Sequence, residues 1–230
     1  MFKVVVLKAL LFTLFSFVLF LSKAQKLDLK FEGYTIQDGL SSNTVNDILR
    51  DYDGFMWFAT EDGINRYDGI NFKAYKSKKS DSTTLCSNIV FSLLNDRNNK
   101  FLVGSSEGLN VYNPTFDHFD RLLEGVEVRD IIEYSKGGYM LATNKGLIQL
   151  DENFKELRRI NATSSGVLGL LTTAFNCVLE DSKGRLWSGD FQNGLHLMVS
   201  DSVFVNYSRL SNKSVGNFCY EIIEDHKGRI

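Results

Sequence analysis

The feature that most restricts this chain is a repeated signature, Asp-x-x-Gly-x-x-Trp. It stands intact at Asp51-Tyr52-Asp53-Gly54-Phe55-Met56-Trp57 and again at Asp181-Ser182-Lys183-Gly184-Arg185-Leu186-Trp187. A second glycine follows each copy and opens a new apolar stretch: Gly63-Ile64 after the first, and Gly194-Leu195 after the second, where one residue is inserted. Weaker copies lie between them. Asp96 to Leu102 has leucine in the tryptophan place and leads to Gly108-Leu109; Gly137 to Met140 has methionine there and leads to Gly146-Leu147. Asp225 to Ile230 begins another copy and stops one residue before the expected tryptophan. The tryptophan place therefore falls at 57, 102, 140 and 187, in steps of 45, 38 and 47 residues. A period of about 40–50 residues with several short strands per unit points to propeller blades rather than helical repeats.

Each unit reads as four strands. An apolar segment precedes the turn, as in Val45 to Leu49, Val90 to Leu94, Val128 to Ile132, Phe175 to Leu179 and Cys219 to Ile223. Its alternation is too imperfect for one solvated face, which suits a strand covered on both sides by neighbouring blades. Asp-x-x-Gly makes a tight reversal: Asp51 and Asp181 accept nearby backbone N–H groups, and Gly54 and Gly184 supply the positive φ. The segment containing Trp57 or Trp187 is the returning strand, and Gly63, Gly108, Gly146 and Gly194 turn it into a third. An aromatic pair three residues apart marks the fourth: Phe72/Tyr75, Phe116/Phe119, Phe204/Tyr207, with Phe154/Leu157 as a weaker version. Phe31 and Tyr34 carry the same mark ahead of the first unit.

The expectation is an all-β chain: an incomplete β-propeller of four-stranded antiparallel blades, about four blades plus the start of a fifth. The blades are placed at 39–80, 81–123, 124–161, 162–210 and, in part, 211–230. Residues 25–38 are expected to supply an outer strand that completes a last blade. A broken fifth unit would leave an unpaired apolar strand, so the sequence reads as the N-terminal piece of a longer protein.

Composition agrees with short strands and glycine turns, since 18 Phe, 9 Tyr and 18 Gly accompany a single proline, Pro114. Residues 1–24 read as a secretory signal peptide. Lys3 and Lys8 precede an apolar run from Ala9 to Leu21, and Ser22-Lys23-Ala24 sets small residues for cleavage before Gln25. The chain is thus read as exported and, in a full-length parent, periplasmic and tethered to the inner membrane. Cleavage would remove three lysines and no acid, moving the formal charge from −2 to −5. No basic field for nucleic acid remains. Cys86, Cys177 and Cys219 are odd in number and widely spaced, so they are read as small buried hydrophobes. His118, His196 and His226 form no metal-ligand spacing; neither a metal nor a cofactor is expected.

The run from Gly39-Leu40-Ser41 through Trp57-Phe58-Ala59-Thr60, Asp62-Gly63-Ile64-Asn65-Arg66-Tyr67-Asp68-Gly69 and Phe72 resembles the two-component regulator propeller repeat. This repeat is typical of the periplasmic sensor region of Bacteroidetes hybrid two-component histidine kinases. The resemblance extends over about 27–230, with the second and third copies degenerate. It implies further blades, a transmembrane helix and a kinase core as partners in the same polypeptide, and a homodimer. It also implies an oligosaccharide ligand that regulates transcription through a phosphorelay. The kinase's catalytic parts are absent from these residues, so no enzyme is expected in this chain and no catalytic residue is assigned.

Recurring residues are expected to be architectural: Asp51, Gly54, Trp57, Gly63, Gly108, Gly146, Asp181, Gly184, Trp187 and Gly194. The acids of Asp51 to Gly54 and Glu61 to Gly63 offer only part of a calcium-loop pattern and are read as turn chemistry. Ligand contacts are sought where one copy departs from its siblings. Arg66, Tyr67, Arg129 and the lengthened turn with Asp190, Gln192 and Asn193 are the candidates. Two rival readings are an exported propeller enzyme, either a polysaccharide lyase or a glycoside hydrolase, and a protein-binding propeller scaffold. The glycosidase lacks a visible acid/base set.

Overall fold

The computed structural model describes residues 29–161, 174–200, 203–207 and 218–230. The signal-peptide reading of 1–24 lies outside them, as do 162–173, 201–202 and 208–217 in the expected fourth and fifth blades. The chain divides into Met1–Gly33, whose described residues carry no strand, and Tyr34–Ile230, which holds every strand.

Four four-stranded antiparallel sheets follow one another, each a simple meander. The first is β1 (Val45–Arg50), β2 (Met56–Thr60), β3 (Gly63–Tyr67) and β4 (Phe72–Tyr75). The second is β5 (Val90–Asn95), β6 (Phe101–Ser105), β7 (Gly108–Asn113) and β8 (His118–Leu122). The third is β9 (Val128–Glu133), β10 (Tyr139–Thr143), β11 (Gly146–Leu150) and β12 (Glu156–Ile160). The fourth is β13 (Cys177–Glu180), β14 (Leu186–Asp190), β15 (Gly194–Ser200) and β16 (Val203–Asn206). The first strands β1, β5, β9 and β13 lie side by side in that order, which is the inner wall of a β-propeller.

The core is not inside the sheets but between them. Strand alternation sends successive side chains to opposite faces, and both faces of a blade meet another blade. On β10, Met140 and Ala142 pack toward Phe175, Val178 and Leu186 of the fourth blade. Tyr139 and Leu141 pack toward Leu102 and Leu109 of the second. All five residues of β10 are therefore buried. In the first three blades the tryptophan place faces the following blade: Trp57 joins Leu85, Val90, Leu93 and Phe101, Leu102 joins Val128 and Leu141, and Met140 joins Phe175 and Phe204.

The Asp-x-x-Gly turns have the expected chemistry. Asp51 Oδ1 accepts the Phe55 N–H at 2.9 Å, and Asp181 Oδ1 accepts those of Lys183 (3.0 Å) and Arg185 (2.9 Å). The fourth position has positive φ in every copy: Gly54 (95°), Asn99 (63°), Gly137 (101°), Gly184 (72°) and Gly228 (72°). Asparagine is the non-glycine residue that best tolerates this region, which explains how Asn99 serves in the second copy. The tryptophans answer to the same aspartates, for Trp57 Nε1 donates to Asp51 Oδ2 at 2.6 Å and Trp187 Nε1 to Asp181 Oδ2 at 2.9 Å. Where Leu102 replaces tryptophan, Tyr139 of the next blade donates its hydroxyl to Asp96 Oδ2 at 2.5 Å instead.

Three local expectations change. Residues 29–35 form no strand; strand structure needs a ladder partner, and none of the described strands pairs with them. Cys219 to Ile223 likewise forms no strand, because no described strand returns beside it, although the Asp225–Gly228 reversal closes normally with Gly228 N–H to Asp225 O at 2.9 Å. The aromatic pairs mark the outer strand fully only at Phe72/Tyr75. Phe116 and Phe154 precede β8 and β12, and Phe154 stacks on Tyr139 at 5.3 Å with φ 65°.

The cysteine reading also changes. Cys177 is buried as expected, but its Sγ lies 3.6 Å from that of Cys219, 42 residues away in sequence. Separation along the chain hid a contact made by the blade period.

Candidate functional site

The inner strands line a cavity of about 610 Å³, reached by Asn46, Asp47, Phe91, Ser92, Arg129, Asp130, Asn176, Cys177, Tyr220 and Glu221. Corresponding positions alternate in their task. Asn46 Nδ2 donates to Val90 O at 2.7 Å, and Asn176 Nδ2 to Tyr220 O at 2.7 Å, each tying one blade to the next. One position further, Asp47 Oδ2 accepts the Leu93 N–H and Asp130 Oδ2 the Val178 N–H, both at 2.8 Å. These carboxylates satisfy strand N–H groups that have no ladder partner on the channel side.

Burial raises the pKa of Asp47. It also pushes Asp130 up to about 6, against its hydrogen bonds from Val178 and Ile131, with the charges of Asp47 and Glu221 adding to the rise. The sign of the linkage is then determined. Between about pH 4 and 6 the folded chain holds a proton on Asp130 that the unfolded chain has lost, so stability falls as pH rises through that window. Asp130 keeps part of its surface toward the channel, so water screens it and the loss is on the order of 1–2 kcal/mol. Denaturant midpoints measured from pH 4 to 6.5 should show this decline, and Asp130→Asn should flatten it; an unchanged slope in the variant would refute the assignment.

At the cavity rim, residues from three blades and the following segment converge. The Arg129 guanidinium lies 4.7 Å from the centre of the Phe91 ring and 5.1 Å from that of Phe191. Its Nη1 donates to Asn176 Oδ1 at 3.4 Å, and it is ion-paired with Glu127. Phe191 meets Tyr220 edge to face at 5.3 Å. Phe191 sits in the fourth blade's lengthened turn, so the structure brings Arg129 and the Asp190–Asn193 turn together. Both stand out in the sequence, but nothing there pairs them; Phe91 and Tyr220 hold the same place in their units as Arg129 and Asn176 do in theirs, and that equivalence was the available signal.

The turn's own side chains divide. Gln192 is exposed, while Asp190 is buried with His196 Nε2 2.8 Å from its Oδ2. Asp190 Oδ1 also accepts the N–H groups of Gln192 and Asn193. Burial by itself would raise the Asp190 pKa; the bond from His196 and those two N–H groups outweigh it and hold the carboxyl below its ordinary value.

Arg66 and Tyr67 lie elsewhere, away from the rim residues. Arg66 Nη1 donates to Tyr112 Oη of the second blade at 2.9 Å, and its guanidinium covers Phe55 at 4.7 Å. Asp117 Oδ1 accepts the hydroxyls of Tyr75 (2.6 Å) and Tyr112 (2.7 Å), and its carboxylate is ion-paired with Lys73. Burial would raise the Asp117 pKa, but Lys73 and the two tyrosines hold it at about 2. Tyr67 stacks on Phe72 at 4.5 Å and donates to Gly69 O at 2.9 Å, closing the hairpin between β3 and β4. Among the described residues no group of three or more His, Cys, Asp or Glu is arranged to hold a metal ion.

Residues 39–62, which hold the first Asp-x-x-Gly-x-x-Trp, match the family described as two component regulator propeller. That segment of the first blade is a two-component regulator propeller repeat. Over 72 residues the chain is 43% identical to Histidine kinase P4 of Formosa agariphila, a match covering 31% of this chain and 5% of that protein. Its fold is similar to the extracellular domain assigned to the hybrid two-component system BT3049 of B. thetaiotaomicron. The TM-score is 0.68 at 25% identity, over 79% of this chain and 27% of that one. The extracellular domain assigned to BT4673 of the same organism is similar with a TM-score of 0.58 at 17% identity, over 89% and 35%. The chain therefore spans a small part of the histidine kinase and about a third of each solved domain or less.

Proposed function

We propose that this regulator propeller is the extracytoplasmic ligand-sensing part of a hybrid two-component histidine kinase, that its ligand is an oligosaccharide, and that it is exported to the periplasm and tethered to the inner membrane in the full-length protein. Transcription is controlled through a phosphorelay in parts of the protein beyond these residues, with further blades, a transmembrane helix, a kinase core and a homodimer as partners. The chain itself performs no catalysis in this reading. The observation that carries it is the rim cluster: Arg129, Phe91, Phe191, Tyr220 and Asn176 combine flat aromatic faces with charged and amide donors above an open channel. Sugars are bound by that combination, stacking C–H faces on rings and directing hydroxyls to planar donors. The similarity to extracellular domains of two-component systems supports the setting. Binding shifts the sensor only by its difference in affinity between two arrangements of blades.

Partial hydrolysates of plant and algal polysaccharides, screened against the intact protein by thermal shift and then calorimetry, test this. A bound oligosaccharide is expected, with affinity lowered about 10- to 100-fold by Arg129→Ala. An affinity unchanged by Arg129→Ala and by Phe191→Ala, or turnover of the glycans, would overturn the reading.

A further inference from the structure

The two thiols that meet between the fourth blade and the segment after it stand in a prepared site. Cys177 is on the inner strand β13, and the Cys219 backbone is held from both sides: its N–H donates to Asp190 O at 2.9 Å, and its carbonyl accepts Asn176 Nδ2 at 3.1 Å. Between them lies Gly189, two residues past Trp187. A Cβ there would come within 2.4 Å of Cys219 Sγ and 2.7 Å of Cys177 Sγ. Equivalent places hold Ala59 and Ala142 in the first and third blades, and Gly104 in the second, where a Cβ would meet Ser92 Oγ at 2.4 Å rather than a sulfur. The missing methyl is the space the two sulfurs occupy. The geometry points to a disulfide-forming pair, Cys177–Cys219, that locks the inner strand of the fourth blade to the segment that follows the blade.

The sulfurs are 3.6 Å apart, and a bond of about 2.05 Å forms when they close that gap. Cys219 is the attacking thiol. It is the less buried of the two, and a hydrogen bond from the Cys177 thiol lowers its pKa, while the same contact and burial push that of Cys177 up. The Cys219 thiolate, its proton lost to solvent, attacks one sulfur of an external disulfide, either a thiol–disulfide oxidoreductase or oxidised glutathione. This forms a mixed disulfide and releases one thiol. Cys177 then attacks Cys219 Sγ, giving its proton to the departing thiolate. Two electrons pass to the oxidant, which leaves as two thiols. Cys86 takes no part: burial pushes its pKa up to about 11, and its Sγ lies beside Leu109 O at 3.8 Å.

The pair itself does not depend on the proposed function, but its oxidation in the cell rests on the exported placement. The intact protein is therefore reduced, treated with oxidised glutathione and mapped by alkylation and mass spectrometry. The expected result is one disulfide-linked peptide joining Cys177 to Cys219, with Cys86 alkylated. Reductant should then lower the melting temperature by about 5–10 °C in the parent protein and in Cys86→Ser, and leave Cys219→Ser unmoved. Three alkylatable thiols after oxidation, or glutathione carried singly without pairing, would overturn the proposal. Protein trapped by acid and alkylated inside cells is expected to carry the bond. A pair that oxidises in vitro yet is found reduced in cells counts against the exported placement and leaves the pair standing.

Discussion

Trp57→Ala is expected to be among the most damaging single changes to this propeller, costing about 3–5 kcal/mol, as large aromatic truncations in a core do. The indole is fully buried. It packs tilted on Phe101 at 4.6 Å and edge-on to Tyr112 at 5.1 Å, both in the second blade, and stacks with Tyr75 at 5.6 Å. The loss therefore falls on the interface between two blades rather than inside one. The deletion also strips Asp51 Oδ2 of its indole donor. For a chain of this size the melting temperature should fall by roughly 10 °C. Trp187 makes a useful contrast. Its described aromatic neighbour is Tyr207, at 5.4 Å, and Trp187→Ala is expected to cost less than Trp57→Ala. Thermal or urea unfolding checks both, and a Trp57→Ala shift below about 2 °C, or a larger shift for Trp187→Ala, would contradict the packing account.

The second large effect lies in the buried Asp190–His196 pair. In the first three blades this corner holds a hydroxyl: Thr60, Ser105 and Thr143 donate across the turn to the carbonyls of Gly63 (2.8 Å), Gly108 (2.8 Å) and Gly146 (2.6 Å). The fourth blade has one more residue in its turn, and two backbone N–H groups, those of Gln192 and Asn193, need an acceptor there. Asp190 Oδ1 accepts both, and unlike a hydroxyl the carboxylate has a second oxygen left over. The carboxylate in turn needs a donor in a site where it is 1% exposed, and His196, fully buried, supplies it. One inserted residue thus accounts for both substitutions. His196→Ala should cost about 3–5 kcal/mol, since it strands a buried charge. His196→Asn restores the residue type of Asn65 and Asn110, and Asp190→Thr that of Thr60. Each alone should destabilise, and the double variant should be more stable than their sum by about 1–3 kcal/mol. Denaturant unfolding of the four proteins measures the coupling; additivity within about 0.5 kcal/mol would mean the two residues do not act as a unit.

The repeat was legible because its parts are local. A turn of Asp-x-x-Gly closes on its own hydrogen bonds, and Trp57 reaches the aspartate six residues before it, so both leave a spacing in the sequence. The rim cluster was legible only in pieces. Arg129 and the Asp190–Asn193 turn each stand out as departures from their siblings, but their approach depends on two inner strands lying side by side. Arg66 also stands out, and the structure places it in a network with Tyr112 and Asp117 that joins the first two blades. A charged residue unique to one copy marks a special contact without saying whether the partner is a ligand or the next blade.

What the sequence by itself determined is the architecture: the unit, its period, its turns and the all-β propeller that stacks them. Those follow from backbone chemistry that acts within about fifty residues. What only the tertiary structure decided is which side chains meet across units. The Cys177–Cys219 approach, the Tyr139 hydroxyl standing in for a missing indole, and the gathering of Phe91, Arg129, Phe191 and Tyr220 all join residues of different units. Such contacts are set by how one sheet is laid against another. Packing between blades constrains volume and shape at many positions together, and so leaves no spacing of its own to read.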